Sequence, residues 1–181
     1  MPDWKPAPDW KPAPRLDLRA SHYEDCDARR LIAEVQQEYV VRYGGPDDSP
    51  VDPEEFAAPN GLFVIGYADE VPVASGGWRR HGADHPETKW AGKPGEIKRM
   101  YVSPAARGLG YGRAVLAHLE ETARTAGLDW LLLETGLRQP EAMALYRSSL
   151  YRPVPAFGHY ACVPLSLHLG KPLHPGAGRV P

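Results

Sequence analysis

Arg107-Gly108-Leu109-Gly110-Tyr111-Gly112 is the stretch whose residue types and spacing most directly imply chemistry. It joins an apolar strand pattern, Ile97 to Val102, to an amphipathic helix pattern, Arg113 to Ala126. A glycine-rich turn at that junction leaves several backbone N–H groups without intrahelical acceptors. Together with the positive end of the helix dipole they attract anions, most often phosphate. Glycine lets the backbone approach such a ligand closely and adopt positive φ. A phosphorylated ligand at a strand–helix junction is therefore expected. Two familiar nucleotide loops do not fit. A Walker loop ends in Gly-Lys-Ser/Thr, whereas Arg113-Ala114 follows Gly112. A dinucleotide fingerprint needs a glycine where Arg113 stands, and a hairpin pattern upstream argues against a βαβ opening. His81, Asp84 and His85 could be drawn as metal ligands, but no fourth ligand accompanies them and no metal is expected.

The elements that must position this turn can be read from periodicity. Leu16-Asp17-Leu18 alternates as a short strand. Ser21 and Glu24 have capping-box spacing, and Ala28, Leu31, Ile32, Val35 and Tyr39 predict a helix from about Tyr23 to Tyr43, stopped by Gly44-Gly45-Pro46. Leu62–Tyr67 and Val71–Trp78 read as a hairpin turning at Asp69-Glu70, with a bulge suggested by Gly76-Gly77. A polar loop from Arg79 to Pro94 leads to a strand over Glu96–Val102. After the glycine turn, Val115, Leu116, Leu119, Ala123 and Ala126 form one apolar helix face ended by Gly127. Trp130–Glu134 reads as a strand buried on both faces, and Pro140 opens a short helix carrying Ala142, Leu145 and Tyr146. Tyr151–Val154 and Tyr160–Leu169 form a closing antiparallel pair. The order is β-α-β-β-β-α-β-α-β-β, a mixed α/β domain over residues 15–170.

Flanking segments differ in character. Asp3-Trp4-Lys5-Pro6-Ala7-Pro8 is repeated as Asp9-Trp10-Lys11-Pro12-Ala13-Pro14, so residues 1–14 read as a disordered or polyproline-like tail. Residues 171–181, rich in Pro and Gly, read as a second tail. The 181 residues carry a net charge of −2, which gives no global field for nucleic acid. No apolar run is long enough to span a bilayer, and the N-terminus lacks a signal-peptide core. Cys26 and Cys162 are far apart and read as reduced thiols, so a cytoplasmic location is expected.

Three motifs in register resemble the GNAT superfamily of acyl-CoA-dependent N-acyltransferases. Arg107 to Gly112 matches its Arg/Gln-x-x-Gly-x-Gly signature. Glu96 to Val102 is similar to its central strand, and Ala142-Met143-Ala144-Leu145-Tyr146 to its A-x-x-L-Y motif. The element order resembles that fold too: a mixed, mostly antiparallel sheet flanked by helices. The resemblance implies acetyl-CoA as co-substrate, its pyrophosphate on the amides of Arg107, Gly108, Leu109, Gly110, Tyr111 and Gly112, with Arg113 beside them. It implies pantetheine along Met100, Tyr101 and Val102, with the Met100 N–H donating to the thioester oxygen. Gln139 stands where the family usually has Asn, and Leu150 where it usually has Gly, so the turn there is expected to be rebuilt.

The resemblance further implies a primary amine of a small molecule as acceptor. An alkylamine has a pKa near 10 and attacks only when neutral, so a base is useful. Glu96 matches the family's frequent glutamate base; it also reads as a solvated strand-end carboxylate, and some members rely on other bases or water. Tyr146 matches the tyrosine that protonates the leaving thiolate, although by spacing alone it is an ordinary helix tyrosine. Tyr39, Arg42 and Tyr43, with Trp78 and Arg79, would flank the acceptor, suiting an amine that bears a carboxylate or ring. Surface arginines and a core tryptophan explain the same residues. A homodimer is implied by family habit. A non-catalytic acyl-CoA-binding domain on the same fold is the alternative function.

Overall fold

The computed structural model describes residues 14–81 and 92–175. In chain order these form β1 (Asp17–Ala20), α1 (Cys26–Tyr43), β2 (Gly61–Ala68), β3 (Val71–Arg80), β4 (Pro94–Val102), α2 (Tyr111–Thr125), β5 (Trp130–Gly136), α3 (Pro140–Ser148), β6 (Arg152–Pro153) and β7 (Ser166–Pro172). Single 3₁₀ turns occur at Pro53–Phe56 and Pro104–Ala106. One seven-stranded sheet has the order β1-β2-β3-β4-β5-β7-β6, and every pairing is antiparallel except β4 with β5. The mixed α/β class and the element order expected from sequence are those observed.

Strand alternation explains the two-sided core. On β2, Val64 faces one side with Val115, Leu116 and Leu119 of α2, while Phe63 and Ile65 face the other with Leu31 and Val35 of α1. The sheet is thus sandwiched between α1 and the α2–α3 side. Each fully buried aliphatic side chain contributes about 1.5–3 kcal/mol of transfer free energy. β5 is buried on both faces from Trp130 to Leu133, as its continuous apolar run predicts. The β2–β3 turn is the expected one, with Asp69 and Glu70 at φ 49° and 61°, the pair of positive angles of a type I′ hairpin.

Other boundaries depart from expectation for local reasons. α1 begins at Cys26, because Ser21 Oγ donates to Asp25 Oδ2 at 2.7 Å instead of forming a capping box with Glu24. α2 begins at Tyr111, so Gly112 lies in its first turn. β7 runs later than Tyr160–Leu169 and reaches Pro172, with Leu173 buried, so the chain is still part of the fold where the tail was expected to start. The irregularity near Gly76-Gly77 exists, but the extra residue is on β4: Ser75 pairs with Tyr101 and Gly77 with Lys98, so Gly76 faces both Arg99 and Met100. A Cβ at Gly76 would lie 2.8 Å from Met100 Sδ, so the missing side chain makes room for the bulge. Leu150 is not in a rebuilt turn. It keeps φ +71°, with Tyr151 N–H bonded to Tyr146 C=O and Leu150 N–H to Arg147 C=O, a Schellman ending with leucine in the usual glycine position. The duplicated hexamer lies outside the described residues save for Pro14, as do Asp84, His85 and residues 176–181.

Candidate active site

β4 and β5 pair only over Pro94–Glu96 with Trp130–Leu132. Past those residues no pairs join the two strands, while β5 continues on β7 to Gly136. Arg99 and Met100, in the bulge, have no cross-strand partner on either side. The opening between the strands leads to two cavities, of about 550 and 340 Å³. Both are lined by Met100, Gln139, Ala142 and Tyr146, so they meet at those side chains.

The larger cavity runs along Met100, Tyr101 and Val102 to the glycine turn. Gly108 and Gly110 sit at φ +79° and +83°, angles that a side chain would strain. Ala114 is the first residue of α2 whose N–H finds a backbone acceptor, Gly110 C=O at 3.1 Å. The amides of residues 108–113 have no acceptor among the described residues. They form a run of donors at a helix N-terminus, which fits a pyrophosphate group. Gly108, Gly110, Tyr111, Gly112 and Arg113 line this cavity; Leu109 contributes only its place in the amide run, its side chain being half-exposed outside. Arg107 lines it too, but its charge is engaged: Nε donates to Val102 C=O at 3.0 Å and Nη2 pairs with Glu38. Arg113 reaches Ser148 Oγ at 2.8 Å and ties α2 to the end of α3.

The smaller cavity lies on the α1 face. Tyr39 and Tyr43 from α1, Tyr146 from α3 and Tyr160 from the β6–β7 loop wall it. Gln139 Nε2 donates to the Tyr43 hydroxyl at 3.3 Å, and a Cβ on Gly136 would overlap that hydroxyl, so a glycine is needed to seat the ring. Arg99, at φ +56°, turns its side chain into an ion pair with Asp47 and donates to the Tyr23 hydroxyl at 3.1 Å. The Tyr160 hydroxyl lies 2.7 Å from carboxylate oxygens of both Asp47 and Asp48. Burial opposes the charge of Asp47, but Arg99 and the hydrogen bonds from Ser49 and Tyr160 outweigh it and hold the carboxyl at about 2.

Two charged groups in this cavity remain incompletely matched. Glu134, on β5, accepts one hydrogen bond, from Ser166 Oγ at 2.8 Å, and no cation is in ion-pair contact with it among the described residues. Burial pushes its pKa up. Lys98, on β4, lies 2.9 Å from Glu96 Oε1 and has no second partner among the described residues. Tyr146 is nearly buried, and burial raises its phenol further, so it stays protonated across the neutral range.

Several residues singled out in the sequence fall elsewhere. Glu96 lines neither cavity. It is 5% exposed, and its carboxylate is held by Arg79 Nη2 at 2.9 Å, by Lys98 and by His81. Burial opposes its charge, yet the His81 hydrogen bond and the Lys98 and Arg79 charges hold it well below the carboxylate range. A carboxylate so engaged is a poor base, and the structure places it outside the cavities where an acceptor would meet the expected base. Trp78 is a core residue whose Nε1 donates to Thr122 Oγ1 at 3.0 Å. Arg79 is taken up by Glu55 and Glu96, and Arg42 by Glu141 and the Arg138 C=O. Of the five expected acceptor residues, Tyr39 and Tyr43 line the cavity. Glu134, Lys98 and Tyr160 line it too and were not among the residues expected. Glu134 carried one signal, a carboxylate closing an otherwise apolar strand. Among the described residues no cluster of His, Cys, Asp or Glu could hold a metal, and no helix is long and apolar enough to cross a membrane.

Comparison with known proteins matches residues 14–150 to the Acetyltransferase (GNAT) family. An IAA acetyltransferase of Azospirillum brasilense is 37% identical over 144 residues, spanning 80% of this chain and 89% of that protein. Among solved structures, a protein of Klebsiella pneumoniae described as an acyl-CoA N-acyltransferase is 28% identical, with a TM-score of 0.68 over 88% of this chain and 98% of its own. The yncA acetyltransferase of Salmonella typhimurium, solved with its cofactor acetyl-CoA, shares the fold at 17% identity, with a TM-score of 0.62 over 91% and 98% of the two chains.

Proposed function

The chain belongs to the GNAT acetyltransferase family and uses acetyl-CoA, and from that premise we propose that it transfers the acetyl group directly to a primary amine of a small molecule held in the smaller cavity. One observation carries the reading: a cavity floored by amides and a cavity holding a carboxylate, neither with a charged or backbone partner among the described residues, meet at Met100 and Tyr146. The pyrophosphate of acetyl-CoA rests on the amides of residues 108–113, and its acyl arm follows Met100 to Val102. Glu134 attracts the acceptor's ammonium and accepts a proton from it, taking the base role that Glu96 cannot fill. The amine nitrogen then bonds to the thioester carbon. Met100, which has no register partner on β3, donates its N–H to the oxygen as negative charge builds there. The C–S bond breaks with its electron pair on sulfur, the Tyr146 hydroxyl donates to the departing thiolate, and the second proton that the nitrogen loses as the amide forms restores the phenol. The products are the N-acetyl amine and free coenzyme A. No acyl-enzyme forms, since Cys26 and Cys162 lie outside both cavities.

The test is acetyl transfer to a panel of amines, read as thiol release and as acetylated product by mass. Tyr146→Phe is expected to lower kcat by about 10²-fold. Binding of acetyl-CoA with no acetylated amine from any acceptor would overturn the reading.

A further inference from the structure

Within the acetyltransferase reading, which this inference presupposes, the acceptor cavity holds two charges that face each other without touching. Glu96 pairs with Leu132 in the parallel β4–β5 register, so two residues further along each strand Lys98 and Glu134 stand opposite on the same face. The strands have separated there, and the two groups make no ion pair with each other. Both line the smaller cavity. The other charges around it are matched: Arg99 with Asp47, and Asp48 with Tyr160 and the exposed His159.

Each of the two facing groups is also held in place. The Lys98 side chain is only 10% exposed, and its ammonium has one acceptor, Glu96 Oε1. Glu96 Oε2 is occupied by Arg79, which is fixed in turn by Glu55. Among the described residues, two of the three Lys98 donor protons are therefore left without a protein acceptor beside the cavity. Glu134 is fixed by Ser166 through one oxygen, leaving the other open. A buried cation and a buried anion, each short of partners, are costly unless a ligand completes them.

We infer that the acceptor is a small amino acid, its ammonium seated on Glu134 and its carboxylate on Lys98, with its side chain against Tyr39, Tyr43 and Tyr160. A zwitterion spanning the opening supplies the missing acceptor to the lysine and the missing donor to the glutamate in one molecule. A simple amine completes only the glutamate.

The experiment uses the full chain, acetyl-CoA, the α-amino acids, and the carboxamide of each, which keeps the size and the amine but removes the negative charge. The free acid of the best substrate is expected to exceed its carboxamide in kcat/KM by about 10²-fold, the range of a charge-assisted hydrogen bond. Lys98→Met is expected to lower that ratio at least tenfold, mostly through KM, and Lys98→Arg to restore part of it. Equal use of acids and carboxamides, or a ratio that Lys98→Met leaves in place, overturns the amino-acid assignment while leaving amine acetylation standing. Should Lys98→Met not fold, the ratios of the wild-type chain and of Lys98→Arg decide. Failure to acetylate every free acid and every carboxamide while acetyl-CoA still binds overturns the amine reading, and this inference with it.

Discussion

Glu134→Gln separates base catalysis from mere shape. Glutamine is isosteric, and its amide oxygen can still accept the Ser166 hydroxyl, so the cavity keeps its walls. What is lost is the proton acceptor. An alkylamine with a pKa of about 10 is neutral in roughly one molecule per thousand at pH 7. Without a base only that fraction reacts, so kcat/KM is expected to fall by about 10³-fold at pH 7 and to recover about tenfold per pH unit up to about pH 9. The wild-type profile should instead rise once, with ionisation of a carboxyl above its ordinary 4.5, and then stay flat through neutral pH. Stability provides the control. A folded-state pKa raised by burial means that the charged form is disfavoured on folding. The resulting loss of stability is absent below the unfolded pKa and grows as pH rises through the folded one. At neutral pH Glu134→Gln should therefore be as stable as the wild type or more so, so that lost activity cannot be lost folding. A loss that is the same at every pH, or smaller than about threefold, would refute the base assignment.

Asp47→Asn should destabilise the fold by roughly 2 kcal/mol near neutral pH, since holding a carboxyl at about 2 instead of 3.8 stabilises the folded state by about that much. Urea titrations should show the difference in full above pH 3.8 and shrinking as pH falls through about 2, because a depressed carboxyl stabilises only while ionised. Leu150→Gly should raise stability by about 1 kcal/mol, because only glycine takes φ +71° without a Cβ clash, and Leu150 is 62% exposed with little packing to lose. Gly110→Ala should cost about 1–2 kcal/mol at φ +83° and weaken acetyl-CoA binding by about tenfold in calorimetry, as the amide run is turned off its ligand. No side chain lies within 4 Å of its would-be Cβ, so a clash would not account for either effect.

The geometry of the proposed donor side was legible because it is local. A strand, two positive-φ glycines and a helix start lie within about a dozen consecutive residues, and their amides point outward whatever the remainder of the fold does. The acceptor side was not legible, for a physical reason. Lys98 and Glu134 become neighbours only because β4 and β5 are parallel, pair over three residues and then separate. Tyr160 reaches Asp47 across 113 positions of sequence. Glu96 misled because its position on β4 is the expected one, but there it lies beside Arg79, its cross-strand neighbour on β3, whose charge it neutralises. Arg42 misled in the same way, its fork already bonded to Arg138 C=O in the β5–α3 connection and to Glu141 in the first turn of α3.

The bulge at Arg99 joins both halves of the site. A non-glycine residue at φ +56° costs about 1–2 kcal/mol, and such a conformation persists only where its surroundings over-determine it. Here they do: the Arg99 carbonyl accepts Ser75 Oγ at 3.1 Å, while its guanidinium is fixed by Asp47 and Tyr23. On one side the twist takes Met100 out of the β3 register at the point where it lines both cavities. On the other it sends the Arg99 guanidinium toward α1, where it anchors Asp47 and, through Asp47, Tyr160 over the acceptor cavity. In the proposed reading the strained residue that opens β4 beside the thioester is the same one that holds the acceptor's roof, so damage at Asp47 should be felt by both substrates although Asp47 lines only one cavity.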